Sequence, residues 1–278
     1  MEIKKNESID IVIKNNVKNY YIFDILILKI LYQSNKILFK KFIHFGNFYL
    51  DNNITLIDFF NIISKPSNVL NSITIVEGWT QEKLNSELSK HFNNIYNIPY
   101  ENIIADTYFF KKNDDFDTFV LTLQEIKNQY LKNFFKNQKY KKYSHNEIMI
   151  IGSLLEKEGL DNQDKKVISS VIFNRLNIDM KLQIDATVLY AITNGKYNLK
   201  RKLLLSDLKF DNPFNTYLYK GLPPKPISYV GKKTIDIIFD DYKSDFLFYF
   251  FNKSLNRHIF SVTFADHKKK LNEYRNSK

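Results

Sequence analysis

The spacing of apolar residues between positions 144 and 176 predicts two consecutive helices. Ser144 and Glu147 form an S-x-x-E capping box ahead of the first apolar run. Gly159 follows that run and is a suitable place for the helix to end. Apolar residues recur every three or four positions in the first helix, at Ile148, Ile151, Leu154 and Leu155. This periodicity is typical of a helix with one buried face.

A cap at Asp161 or Asn162 predicts the start of the second helix. Its apolar stripe consists of Val167, Ile168, Val171, Ile172 and Leu176. A dense set of polar residues then stands between apolar anchors, namely Asn174, Arg175, Gln183, Asp185 and Thr187. Polar residues in such surroundings are candidates for a functional site.

Two glutamates lie at the end of the first helix. Successive residues of a helix are about 100° apart, so Glu158 falls within the apolar stripe and Glu156 falls well off it. Burial disfavours a charged carboxylate and should raise the pKa of Glu158. A general acid that works near neutral pH needs such a raised pKa. The alternative interpretation is a solvated, charged helix end.

Several motifs in this region occur together in one order and spacing. They are E-K-E-G at 156–159, F-N-R-L at 173–176 and M-x-L-Q-x-D-x-T-V-x-Y at 180–190. This combination resembles the catalytic core of the endolytic murein transglycosylases, the YceG-like or MltG family. The segments T-I-V-E-G-W-T at 74–80, F-N-T-Y at 214–217 and G-L-P-P-K-P-I at 221–227 are similar to further elements of that family.

The resemblance implies a lytic transglycosylase that cleaves the MurNAc-GlcNAc β-1,4 bond of nascent peptidoglycan strands. One carboxylic acid protonates the leaving oxygen, and the same group then accepts a proton from the C6 hydroxyl that attacks the anomeric carbon. The products are 1,6-anhydro-MurNAc ends, and strand elongation terminates. Glu158 is our candidate for this general acid/base, and Glu156 is the reserve candidate.

The matched motifs also imply residues that contact sugars through amides, hydroxyls and aromatic rings. They are Asn174, Arg175, Gln183, Asp185, Thr187, Tyr190, Asn215 and Tyr217. Arg175 would pair with a carboxylate or with an acid of the peptide stem. For Asn174 and Arg175 the alternative role is helix packing with a local ion pair. We expect no cofactor and no metal, because the chain has no Cys and its five His lack metal-binding spacing.

The expected fold class is α+β, with a small LysM-like N-terminal part and a mixed helix/strand YceG-like catalytic domain. The LysM-like resemblance rests on G-N-F-Y-L at 46–50 and the threonine-led helix after it. We place the N-terminal part at 1–140 and the catalytic domain at 141–278, because the polar, basic segment 138–143 precedes the capping box. Short apolar runs before residue 65 fit either strands or helices.

The formal net charge of +11 suggests an anionic partner. Only four of the 41 basic residues are Arg, the residue that dominates specific base and phosphate recognition. We therefore expect no nucleic-acid partner. Lys, Asn, Ile and Phe are abundant while Gly and Pro are scarce, which favours a composition bias of the whole proteome over a binding surface as the origin of the charge. The resemblance implies peptidoglycan glycan strands as the partner, and the positive charge would suit this anionic cell-wall polymer. Penicillin-binding synthases are candidate protein partners. The alternative function is a non-catalytic peptidoglycan-binding or scaffold protein of the cell-wall synthesis machinery.

The apolar segment 20–32 is interrupted by Asp24 and Lys29. It is too short for the roughly 20 apolar residues that a bilayer requires. No membrane anchor is therefore visible, although the resemblance implies one at the N-terminus. The resemblance also implies a bacterial inner-membrane location with the catalytic domain facing the periplasm.

Overall fold

The computed structural model describes residues 1–4, 7–16, 22–39, 42–50, 54–67, 69–112, 114–135 and 143–277 as a mixture of helices and short strands. These residues divide into two compact units. The first comprises Met1–Ile73 and Tyr108–Asp115, and the second comprises Thr74–Thr107 and Phe116–Lys278. The boundary expected near residue 140 lies within 136–142, outside the described residues. It stays a prediction, and the division into compact units does not coincide with it.

The first unit contains β1 (Glu2–Ile3), α1 (Ile9–Asn16), α2 (Ile22–Phe39), β2 (Gly46–Asn47) and α3 (Leu56–Ile63). Strand β1 pairs antiparallel with β2. The early apolar runs at 11–13, 25–28 and 37–39, which periodicity left open, belong to helices. Thr55 caps α3 by accepting a hydrogen bond from the Asp58 N–H at 3.1 Å. No helix in the described part of the chain is long and apolar enough to cross a bilayer.

Two short strands, β3 (Leu70–Thr74) and β4 (Thr107–Lys111), form a two-stranded sheet. The second unit contains the helices α4 (Gln81–Leu88), α5 (Phe116–Phe135), α6 (His145–Glu158), α7 (Asn162–Asn177), α8 (Asp185–Thr193), α9 (Lys232–Phe239) and α10 (Phe264–Asn276). Between α9 and α10 lies a hairpin of antiparallel strands, β5 (Phe248–Asn252) and β6 (Arg257–Ser261).

The core of the second unit forms around α6, α7 and α9. Its fully buried members include Ile148, Ile151, Leu154, Leu155, Ile168, Ile172, Ile235 and Ile238. The apolar stripes predicted for α6 and α7 supply most of these residues. Burying one such aliphatic side chain stabilises a fold by about 1.5–3 kcal/mol, so the packing of α6 largely determines where its C-terminal glutamates lie.

The two predicted helix starts are confirmed. The Ser144 hydroxyl accepts from the Glu147 N–H, and the Glu147 carboxylate accepts from the Ser144 N–H at 2.7 Å. Asp161 caps α7 by accepting from the Asp164 N–H at 2.8 Å. Helix α6 ends at Gly159, where a Cβ atom would lie 2.3 Å from the Lys165 Cγ. Only glycine therefore fits the tight connection between α6 and α7.

The proline-rich loop 221–227 leads into a segment that docks on α6. The Ile227 N–H donates to the buried Ser153 hydroxyl at 3.0 Å, and the Ser228 hydroxyl donates to the Ser153 carbonyl at 3.2 Å. A Cβ atom at Gly152 would lie 2.5 Å from the Val230 side chain. The close approach at Gly152 and these two bonds hold the loop against the helix that ends in Glu158.

Candidate active site

Glu158 is the last residue of α6, and its side chain meets strand β5 and the start of α8. The Tyr249 hydroxyl donates to its Oε2 at 3.2 Å, and the Ala186 N–H also hydrogen-bonds the carboxylate. Burial raises the pKa of Glu158, and the nearby Asp185 carboxylate raises it further, against the opposing effects of Tyr249, Ala186 and His258. The raised pKa predicted from the apolar stripe is therefore confirmed.

Glu156 lies in different surroundings from those that helical geometry predicted. Its side chain is only 2% exposed, and the Lys165 ammonium lies 2.5 Å from its Oε2. Its Oε1 accepts from the Gly231 N–H at 3.0 Å, while Lys165 also donates to the Thr234 hydroxyl at 3.0 Å. Helical geometry placed Glu156 off the apolar stripe of α6, yet its side chain is buried, because α6 packs against both α7 and α9. Glu156 thus belongs to an ion pair that joins three helices.

A second carboxylate lies beside Glu158. Asp185 begins α8, and the Tyr217 hydroxyl donates to its Oδ1 at 2.6 Å. Burial, followed by the bond to Asp185, raises the pKa of Tyr217, so its proton stays on the phenol. Glu158 and Asp185 are therefore neighbouring carboxylates, each paired with its own tyrosine hydroxyl.

A cleft of about 580 Å³ adjoins these groups. Asp185 and Ala186 belong to its wall, and both also interact with Glu158. Its lining further includes two tyrosines and three cationic side chains, namely Tyr190, Tyr197, Lys157, Arg201 and Lys202. A concave surface with apolar rings and a few charged groups is typical of a ligand site. The cleft is large enough for several sugar-sized groups, and Glu158 lies behind the part of its wall that Asp185 and Ala186 form.

Two of the predicted sugar-contacting residues are fully buried, because both are 0% exposed. The Thr187 hydroxyl donates to the Ile184 carbonyl at 2.6 Å and lies 2.9 Å from the Thr216 hydroxyl. The Asn215 amide donates to the Leu208 and Phe210 carbonyls at 3.1 and 2.8 Å. Both side chains shape the loops around α8 and do not reach the cleft.

Gln183 is exposed and has a left-handed backbone, with φ of 48°. Its N–H donates to the Thr216 carbonyl at 3.1 Å. A non-glycine residue with positive φ is uncommon and often marks a functional or tightly constrained turn. This turn brings the chain from the end of α7 to the start of α8, where Asp185 lies.

Asn174 and Arg175 contact backbone carbonyls. Arg175 is 6% exposed, and its Nε donates to the Leu247 carbonyl at 2.6 Å while Nη1 donates to the Leu182 carbonyl at 2.5 Å. The Asn174 amide donates to the Ser244 and Phe246 carbonyls at 2.7 and 3.0 Å. These contacts favour the alternative in which both residues support helix packing. Their acceptors are backbone carbonyls, and not the carboxylate of the local ion pair that this alternative included.

Sequence reasoning missed Tyr249, whose partner Glu158 lies 91 positions earlier in the chain. It also missed His258, and the Nδ1 of this residue lies 2.8 Å from the Asp164 Oδ2. A usable signal was the single tyrosine in a run of Phe, because a buried phenol needs a hydrogen-bond partner. The identity of that partner depends on how the hairpin β5–β6 packs against α6.

Substituting Arg175 by Met is expected to destabilise the protein by about 2 kcal/mol or more, because it removes a charged donor from buried carbonyls. Urea denaturation measures the change. The matched control is Arg201→Met, which removes an exposed guanidinium paired with Asp207 and should change stability little. Equal losses for the two variants would contradict the structural role of Arg175.

The raised pKa of Glu158 predicts a pH-dependent effect on stability. A carboxyl whose pKa is higher in the folded state stabilises the fold fully at pH values below its unfolded pKa. That stabilisation is lost as the pH rises through the folded pKa. Glu158→Gln should therefore be more stable than the parent chain at alkaline pH, with the difference shrinking below about pH 4. Urea denaturation across the pH range tests this, and a constant difference would contradict it.

Residues 1–273 match the model of the YceG-like family, and the chain belongs to that family. A stretch of 151 residues is 37% identical to an endolytic murein transglycosylase of Bacillus subtilis (strain 168), covering 54% of this chain and 41% of that protein. A stretch of 175 residues is 30% identical to the endolytic murein transglycosylase of Streptococcus pneumoniae serotype 2, covering 62% of this chain and 31% of that protein. The matched regions thus span less than half of these relatives.

The solved structure of a YceG-like protein from Listeria monocytogenes has a similar fold. The TM-score is 0.61 at 24% sequence identity, and the match covers 96% of this chain and 97% of that one. The shared fold agrees with the expected mixed helix and strand class.

Proposed function

We propose that this chain is a peptidoglycan lytic transglycosylase in which Glu158 is the single general acid/base. The observation that carries the proposal is the position of Glu158, which lies at a helix end beside the cleft, with burial raising its pKa. Membership of the YceG-like family and similarity to proteins named endolytic murein transglycosylases support the same activity.

The proposed reaction has two proton transfers on one residue. Protonated Glu158 gives its proton to the glycosidic oxygen as the bond from that oxygen to the anomeric carbon breaks. The resulting carboxylate takes the proton of the C6 hydroxyl, whose oxygen bonds to the anomeric carbon and closes the 1,6-anhydro ring. Glu158 is protonated again at the end, and no water is consumed. Such acid/base participation typically contributes ~10²–10⁴-fold in rate.

The cleft supplies groups suited to the substrate. The rings of Tyr190 and Tyr197 offer apolar surfaces for sugars, and Lys157, Arg201 and Lys202 place positive charge near the carboxylates of peptidoglycan. Asp185 lies in the cleft wall beside Glu158, and the exposed Gln183 precedes it at the turn into α8. Thr187, Asn215, Asn174 and Arg175 act by holding the surrounding backbone.

The remaining features of the proposal concern the whole protein. We infer a periplasm-facing catalytic domain, an inner-membrane anchor, action on nascent strands that ends elongation, and penicillin-binding synthases as partners. A LysM-like N-terminal part belongs to the same proposal. The order β1, α1, α2, β2, with β1 antiparallel to β2, supports a small strand–helix–helix–strand module.

Incubation of the purified chain with cell-wall sacculi tests the activity. Mass spectrometry should detect released fragments with 1,6-anhydro ends. A scaffold or binding protein would sediment with sacculi and release nothing. Released fragments with reducing ends would indicate hydrolysis by water and would also contradict the proposed mechanism.

A further inference from the structure

We propose that Tyr249 is a positioning residue for Glu158, and this rests on the proposed function of Glu158. Its hydroxyl donates to Oε2 of Glu158 at 3.2 Å. A phenol has one proton to donate, so the bond uses Oε2 as the acceptor. The transferable proton of neutral Glu158 is therefore assigned to Oε1. Tyr249 thus selects which oxygen gives the proton to the substrate.

The ring of Tyr249 is held by its own hairpin. In the register of β5 and β6, Tyr249 lies opposite Phe260. Its ring meets the His258 ring edge-on, with centroids 5.4 Å apart and an interplanar angle of 88°. Burial raises the pKa of Tyr249 well above its ordinary value, so the phenol keeps its proton and serves as a donor. The hydroxyl is thus presented to Glu158 by a ring fixed on two strands.

The lead into strand β5 is held in turn by the helix that follows the catalytic one. The Asn174 amide donates to the Phe246 carbonyl at 3.0 Å, and the Arg175 Nε donates to the Leu247 carbonyl at 2.6 Å. The Arg175 guanidinium also lies 5.5 Å from the centre of the Phe248 ring. A continuous set of contacts therefore runs from α7 through β5 to Tyr249. Asn174 and Arg175 thus support the position of Tyr249 without contacting the polymer.

Loss of the Tyr249 hydroxyl should affect both proton transfers, because the same carboxyl group serves each. Losing a hydrogen bond to a charged group is expected to lower kcat by roughly 10–100-fold in Tyr249→Phe. The KM should change little, since the phenol contacts the acid and not the polymer. The bond stabilises the carboxylate, so its removal raises the pKa of Glu158. The fall in activity at alkaline pH should therefore move to higher pH.

The experiment compares the parent chain, Tyr249→Phe and the control Tyr130→Phe on sacculi, with kcat, KM and pH profiles measured for each. The Tyr130 hydroxyl on α5 also donates to a carboxylate, that of Asp236, and lies 3.3 Å from the Lys232 carbonyl. The control therefore removes a matched tyrosine–carboxylate bond outside the cleft. It should leave kcat and the pH profile unchanged. A folded Tyr249→Phe variant that behaves like Tyr130→Phe would overturn the positioning role.

A second measurement separates this proposal from the proposed function. Carbon-13 NMR of labelled glutamate carboxyls follows the titration of Glu158, with Glu158→Gln identifying its resonance. Tyr249→Phe should shift that titration to higher pH, and Tyr130→Phe should not. A parent chain that releases no anhydro ends would overturn the proposed function alone, while an unchanged Glu158 titration in Tyr249→Phe would overturn the role of Tyr249.

Discussion

Glu158→Gln is expected to reduce the release of 1,6-anhydro ends strongly. General acid/base catalysis typically contributes ~10²–10⁴-fold in rate. Glutamine keeps the size of the side chain and can still accept the hydrogen bond from Tyr249. It has no proton to transfer and cannot receive one from the C6 hydroxyl. Because one residue serves both half-reactions, we expect a loss at or beyond the upper end of that range.

The measurement is anhydro-fragment release by purified chains, with thermal unfolding as the folding control. Folding should survive, because a buried amide avoids the cost of burying a charge. Sedimentation with sacculi should also persist, since the cleft residues are unchanged. An active, folded Glu158→Gln chain would remove Glu158 from the mechanism, and the reserve candidate Glu156 and the neighbouring Asp185 would then be the acids to substitute.

Glu156→Gln is expected to lower the free energy of unfolding by about 3 kcal/mol, because removing one member of a buried ion pair leaves the other charge uncompensated. The side chain of Glu156 is 2% exposed and that of Lys165 is 14% exposed. Catalysis per folded molecule should remain close to that of the parent chain, since the Glu156 carboxylate is occupied by Lys165 and the Gly231 N–H.

Urea denaturation measures the loss, and the companion double variant is Glu156→Gln with Lys165→Met. Replacing both charges by uncharged groups removes the uncompensated ammonium, so the double variant should recover part of the lost stability. A dead but stably folded Glu156→Gln chain, alongside an active Glu158→Gln chain, would reverse the assignment of the two glutamates.

Local patterns were sufficient to predict the helices around the site. A capping box and a period of 3.6 residues depend only on groups a few positions apart, and the starts of α6 and α7 agree with them. The same periodicity predicted the burial of Glu158 because its neighbours on the helix are apolar. The order and spacing of the E-K-E-G, F-N-R-L and Q-x-D-x-T motifs indicated the family. These motifs can be read from the sequence without knowledge of the fold.

The roles of individual polar residues followed from contacts between segments distant in the chain. The buried Glu156 accepts a hydrogen bond from the N–H of Gly231, which precedes α9, and pairs with the charge of Lys165 on α7. The Arg175 guanidinium donates hydrogen bonds to the carbonyls of Leu182 and Leu247. One helix considered by itself contains none of these partners, so its periodicity cannot distinguish an ion pair in the interior from a solvated charge.

The sequence by itself determined the class of fold, the position of the candidate acid and the family, because each rests on short-range order along the chain. Only the tertiary structure decided which carboxylate is neutralised and which polar residues reach the cleft. It alone revealed the pairing of Tyr249 with Glu158, residues 91 positions apart. Hydrogen bonds and desolvation depend on distances of a few ångströms, and the packing of α6, α8 and the β5–β6 hairpin sets those distances.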